Sequence, residues 1–284
     1  MESRYKRNDV KNVVHSMCKH REQESMCIVA LAWHVLDDMP LCLISNRDEF
    51  YHRPTALLHQ WEHTPIIAGQ DLQSGGTWMG VTPQGRWAVL TNFRDGRDKK
   101  QYETSRGHLV QAFLESDLLP IRFAQQLEQQ QQNFAGFNLF MGTADQAVYI
   151  SNRGEAPQVL ANGVYVVSNG LMSDHWEKTR HLRTRFTQEF LPMHQHKTEE
   201  LSLQHAAWDI LEDERKVTTA LLPNTGIQPE MEELLSSTFI QSPVYGTRCS
   251  NFLRMTNNEW IWLEKTQQGE HSGQIVQQQV LLNR

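Results

Sequence analysis

Cys27 follows Met26 and opens the apolar run Cys27-Ile28-Val29-Ala30-Leu31-Ala32-Trp33. A cysteine at the head of a mature chain carries two reactive groups. Its thiol attacks as the thiolate, and its α-amine, with a free pKa of ~7.7–8.0, sits a few bonds away and can accept the thiol proton. If translation starts at Met26, or a leader is removed, one residue supplies both nucleophile and base for acyl transfer. If the preceding residues persist, the nitrogen of Cys27 is an amide, which is no base. The competing reading is a small buried hydrophobe, the usual setting of a free cysteine.

Residues 1–25 decide between these readings. They carry Arg4, Lys6, Arg7, Lys11, Lys19 and Arg21 against Glu2, Asp9, Glu22 and Glu24, with no sustained apolar stretch. A secretory signal needs a 7–15-residue apolar centre, so none is expected here. Without helical periodicity or core-forming content, 1–25 reads as a disordered leader or a mis-assigned start. Residues 26–284 then form a single domain, long enough for one sizeable core and without an obvious linker.

Positioning that cysteine requires a frame, and strands dominate the first two-thirds of the chain. Apolar runs predict strands over 27–33, 41–45, 65–68, 78–81, 86–91, 137–141, 147–151 and 163–168. The first two form a hairpin about Asp37-Asp38-Met39-Pro40, followed by a loop carrying Asn46-Arg47-Asp48-Glu49. Gly75-Gly76 and Pro83-Gln84-Gly85 mark tight turns. Helical spacing predicts helices over 106–115, 120–132, 175–190 and 202–211, and strands return over 247–253, 260–264 and 274–282. Mostly antiparallel sheet flanked by helices is an α+β pattern. The glutamine cluster within 125–132 reads as the solvated face of a helix.

The informative polar residues stand where apolar strands end. Arg47 and Asp48, Asn92 and Arg94, Ser168-Asn169-Gly170 and Tyr245-Gly246-Thr247-Arg248-Cys249-Ser250 are four such groups. Each alone reads as a turn residue or a surface arginine; together they can converge on one face beside Cys27. Trp61, Trp78, Trp87 and Phe93 could line an apolar pocket there or serve as ordinary core. His194, His196 and His205 lack neighbouring ligands at metal spacing.

A net charge of −6 and scattered basic residues disfavour nucleic acid as a partner. No run of eighteen apolar residues exists, so no transmembrane segment is expected. Cys18, Cys27, Cys42 and Cys249 form no C-x-x-C pair and no disulfide framework, which points to the cytoplasm.

Read in order, several motifs together resemble one family. They are Met26-Cys27, Asn46-Arg47-Asp48-Glu49, Arg53-Pro54, Ala68-Gly69-Gln70-Asp71, Gly75-Gly76-Thr77-Trp78-Met79-Gly80, Gly85-Arg86 and Leu90-Thr91-Asn92-Phe93-Arg94. Ser105-Arg106-Gly107, Gly136-Phe137-Asn138-Leu139, Ser168-Asn169, Trp176-Glu177-Lys178, Pro223-Asn224-Thr225-Gly226 and Tyr245-Gly246-Thr247-Arg248 continue the series. This resembles the NRDE family, whose animal members are called transport and Golgi organization protein 2, over nearly the whole chain beyond residue 25. Gln70 departs from the family's usual arginine, and family members usually begin at the Met-Cys pair.

The resemblance implies a four-layer αββα sandwich of the N-terminal-nucleophile hydrolase type, whose members cleave linear amides. It implies that Cys27 attacks the carbonyl and that Arg47 favours its thiolate. Asp48 would orient the ammonium, and Asn92 and Asn169 would donate to the oxyanion. Arg248 would anchor the constellation or a substrate carboxylate. The function expected is hydrolysis of a carbon–nitrogen bond in a small acyl amide, with no cofactor. The alternative is a non-catalytic carrier of haem, acyl-CoA or lipid on the same fold, for which His52, His59, His63 and His108 are the candidate axial ligands.

Overall fold

In the computed structural model, residues 26–196 and 198–283 are described, so the leader expected over 1–25 lies outside the described residues. Among the described residues, thirteen strands form two antiparallel sheets. The first contains β1 (Met26–Leu36), β2 (Met39–Phe50), β10 (Gly163–Val167), β11 (Tyr245–Met255), β12 (Glu259–Thr266) and β13 (Ile275–Leu281), in the order β10-β1-β2-β11-β12-β13. The second runs in chain order through β3 (Thr55–Gln60), β4 (Ile67–Asp71), β5 (Met79–Val81), β6 (Trp87–Asn92), β7 (Phe137–Gly142), β8 (Ala147–Ser151) and β9 (Gln158–Val159).

The apolar run of β1 is continuous because both of its faces are covered. Alternation sends Val29, Leu31 and Trp33 into the layer between the sheets, where they join Trp87, Val89 and Phe140 of the second sheet. Ile28, Ala30 and Ala32 face outward. They meet α3 (Glu177–Arg185), a π-helical turn at Phe186–Phe190, α4 (Leu191–Gln195) and α5 (Glu200–Leu211) through Leu182, Phe186, Leu203 and Leu211. On the far side, α1 (Gly107–Glu115) and α2 (Pro120–Glu128) lay Leu109, Phe113 and Leu127 on Ala88, Leu139 and Ile150. Helix, sheet, sheet and helix therefore stack in four layers, the expected αββα sandwich. Burial at about 1.5–3 kcal/mol for each large apolar side chain holds the layers together.

The structure corrects several expected boundaries. β2 does not stop at Ser45: the polar residues 46–49 continue as strand because β1 and β11 hydrogen-bond it on both edges. The helix expected over 120–132 ends at Glu128, before a short turn at Gln131–Asn133. β3, β9 and α6 (Pro229–Leu234) were not anticipated; α6 starts on Pro229, whose fixed φ suits a first helical turn.

Candidate active site

The site begins in the ladder of β1, β2 and β11. Cys27 pairs with Arg47, and Arg47 pairs on its other side with Cys249; Met26 pairs with Asp48, and Asp48 with Thr247. Alternation places Cys27 and Arg47 on the face toward the second sheet and Met26 and Asp48 on the face toward the helices. Arg47 crosses the gap between the sheets, lying 4.2 Å over the Trp78 ring and donating to Thr55 Oγ1 at 3.2 Å. Glu49 lies 3.7 Å from the same guanidinium.

Cys27 is buried, and burial pushes its thiol up to about 12, with Asp48 adding to the rise. Arg47 and the backbone N–H of Asp48 act in the other direction. Desolvation outweighs the charge of Arg47. In this chain the nitrogen of Cys27 is a peptide amide. The N–H of Met26 donates to the Tyr245 hydroxyl at 2.9 Å, and the Met26 side chain is enclosed by Met231, Leu235, Ile240 and Tyr245.

Asp48 accepts a hydrogen bond from Thr247 Oγ1 at 2.6 Å. Burial raises its carboxyl pKa, opposed by the charge of Lys178, the Thr247 bond and Arg47. Lys178 on α3 is itself buried and donates to the carbonyl of Leu235 at 3.0 Å. Burial lowers its pKa, and Asp48 opposes that fall. Sequence reasoning gave Lys178 no role. Its signal was position: it stands four residues before Leu182, on the buried stripe of its helix.

Asn92 and Asn169 come together from different sheets. Asn92 ends β6, and its carbonyl accepts from Asn169 Nδ2 at 2.9 Å; Asn169 follows β10. The Ser168 hydroxyl lies 3.0 Å from the carbonyl oxygen of Cys27 and 2.9 Å from Asn169 Oδ1. The Asn169 carbonyl accepts from the backbone N–H of Arg94 at 2.7 Å, and Thr91 Oγ1 donates to the Ser168 carbonyl at 2.6 Å. The ends of β1, β6 and β10 are thereby tied together.

Arg248 sits where the register of β11 against β2 shifts between Thr247 and Cys249. Such a bulge turns a side chain out of the ladder. Its guanidinium donates to the carbonyls of Phe50, Tyr51 and Arg53 at 2.9, 2.9 and 3.1 Å, so it clamps the segment after β2. A further cation, Arg106, was also missed as a site residue. Half-buried, it donates to the Gly136 carbonyl at 2.9 Å; burial brings its pKa down to about 10, with the charges of Cys27 and Glu49 opposing.

Of the aromatic candidates, Trp78 touches the site through Arg47, Trp87 packs in the core between the sheets, and Trp61 belongs to the outer layer with α1 and α2. The rings of His59 and His108 hydrogen-bond the carbonyls of Leu57 and Ser74. His194 lies 3.8 Å from Cys42 Sγ and packs edge-on to Phe190, and His205 stands on α5. Among the described residues no group of three or more His, Cys, Asp or Glu is placed to hold a metal ion, and no helix is long and apolar enough to cross a membrane.

The family model described as Transport and Golgi organisation 2 matches residues 26–268. A Transport and Golgi organization 2 homolog of Mus musculus is 30% identical over 232 residues, covering 76% of this chain and 80% of the mouse protein. The Homo sapiens homolog is 37% identical over 148 residues, covering 49% of this chain and 53% of the human protein; that match spans about half of the relative's length. Among solved structures, the chain is similar to a Caenorhabditis elegans N-acylethanolamine-hydrolyzing acid amidase ortholog at TM-score 0.42 and 12% identity, over 80% of this chain and 92% of that one. It is also similar to a conjugated bile acid hydrolase of Clostridium perfringens at TM-score 0.45 and 10% identity, over 88% of this chain and 92% of that one.

Proposed function

The chain belongs to the Transport and Golgi organisation 2 family, and we propose that it is a cysteine amidohydrolase of the N-terminal-nucleophile kind, acting on a small acyl amide once Cys27 heads the chain. The observation that supports this most is the double pairing in one ladder: Cys27 opposite Arg47, and the residue before it opposite Asp48. Nucleophile and cation thus share one face and the carboxylate stands on the other, so together they flank the point where a terminal amine would form.

With Met26 gone, the new α-amine lies beside the Asp48 carboxylate. It takes the thiol proton as sulfur bonds to the amide carbon, giving a tetrahedral oxyanion. Asn169 Nδ2 keeps a second N–H beyond the one given to Asn92, and with the Asn92 carboxamide it is the candidate donor pair for that oxygen. A well-aimed donor is worth about 2.7–4 kcal/mol. As the carbon–nitrogen bond breaks, the ammonium returns its proton to the leaving nitrogen and a thioester remains. Water, deprotonated by the same amine, then releases the acid and restores the thiol. Arg47 offsets the negative charge on sulfur; Arg248 acts by holding the segment that follows Arg47 and Asp48.

The test compares chains beginning at Cys27 and at Met26 on a series of N-acyl p-nitroanilides. Release of nitroaniline by the Cys27 chain, lost in Cys27→Ala and absent from the Met26 chain, is expected. Equal release by both chains would show that the amine has no part.

A further inference from the structure

Met26 occupies a site that its removal would open. Its side chain is 2% exposed and packed among Met231, Leu235, Ile240 and Tyr245, with Phe50 against the same cluster. Its N–H donates to the Tyr245 hydroxyl at 2.9 Å. Its carbonyl carbon is bonded to the nitrogen of Cys27, and Asp48 faces it across the ladder. The segment around it is fixed independently of Met26: the Tyr245 main chain bonds Ser242, the Thr247 N–H and hydroxyl bond Ile240, and Lys178 bonds the Leu235 carbonyl. Removing Met26 from such a frame leaves an apolar hollow with a phenol hydroxyl in its wall, because packed surroundings relax only partly around a deleted side chain.

We infer that the hollow left by Met26 is the subsite for the nitrogen half of the substrate, and that Met26 in this chain stands in for that half. The inference rests on the proposed hydrolase reading. The thiol of Cys27 points toward the second sheet, whereas the Met26 side chain points toward the helices, so the α-amine lies between the two spaces. Since that amine must hand its proton to the leaving nitrogen, the leaving group belongs on the Met26 side and the acyl group on the thiol side. The occupant then has the features that Met26 displays: an amide N–H that donates to the Tyr245 hydroxyl, and an unbranched apolar substituent of about methionine's length. The substrate class is an acylated apolar amine or amino acid, not an acylated sugar or a highly charged amine.

The experiment uses a chain beginning at Cys27→Ala, which keeps the terminal amine but cannot form a thioester, and measures binding calorimetrically. The probes are N-acetyl-L-methionine amide and N-acetylglycine amide. The methionine probe should bind at least tenfold more tightly, Tyr245→Phe should weaken both probes several-fold, and a chain that retains Met26 should bind neither. Ile240→Trp, which fills the hollow, should abolish the preference between the probes even if Tyr245→Phe proves poorly folded. Equal affinity for the two probes, or binding unchanged by the presence of Met26, overturns the inference. Selective binding by a chain whose Cys27 parent releases no amine would instead retain the subsite and remove the hydrolytic reading on which its role depends.

Discussion

Arg47 lies directly opposite Cys27 and is held there from the second sheet, by the Trp78 ring beneath it and the Thr55 hydroxyl beside it. Its charge is therefore fixed relative to the sulfur. Arg47→Met should make the thiol still less acidic and slow alkylation by iodoacetamide at pH 8 at least severalfold. Arg47→Lys keeps the charge without the planar stacking surface, so alkylation should change little while amide hydrolysis falls about tenfold or more. Equal alkylation of Arg47→Met and the parent would remove Arg47 from the site.

Asp48 and Lys178 are buried and each opposes the other's shift, so they should act as a unit. Lys178→Met leaves a buried carboxyl without its cation, and a loss of about 3–5 kcal/mol in urea unfolding is expected. Asp48→Asn/Lys178→Met together should cost less than the sum of the two single changes. Strict additivity would mean the two side chains do not interact.

The same pair sets a pH dependence. Burial raises the folded-state pKa of Asp48 above its unfolded value, so between those values the folded chain holds more protons and stability falls as pH rises. Asp48→Asn should flatten melting temperature against pH from about pH 4 upward. An unchanged slope would assign the trend to other groups.

His194 gives the opposite sign. Burial, aided by the charge of Arg254, brings its pKa down to about 4 from 6.5, so the unfolded chain binds the extra proton first. Stability should fall by about 1–2 kcal/mol as pH drops from 6.5 to 5. His194→Gln should lose that fall, as read by denaturant unfolding at both pH values.

Arg248 satisfies three carbonyls from a single guanidinium nitrogen. Arg248→Met, which removes every donor, should expose the segment after β2 to limited proteolysis near residues 51–53 and slow hydrolysis through misplacement of Arg47 and Asp48. Protection equal to that of the parent would show that the clamp is dispensable.

The layering was legible because β1, β6, β7 and β8 are apolar runs whose alternation divides between two covered faces, and the polar residues of the site stood out against them. What escaped was context. Residues 46–49 look like a loop because they are polar, and only pairing on both edges makes them strand. How strongly burial acts on the Cys27 thiol depends on the layers packed around it, which no neighbour list in sequence order conveys. Lys178 was visible as a lysine on an apolar stripe, but its partner lies 130 residues away in sequence, on the helix-facing side of the first sheet. Arg248 was read by charge, whereas a register shift that leaves no sequence signature decides what it touches.

Intact-mass analysis of the protein during reaction with an N-acyl p-nitroanilide reports most directly on Cys27 as a terminal nucleophile. The chain beginning at Cys27 should gain one acyl mass, mapped to Cys27, that decays as acid is released, while the chain beginning at Met26 gains none. An acyl mass on another residue, or nitroaniline release that persists in Cys27→Ala, would contradict the account.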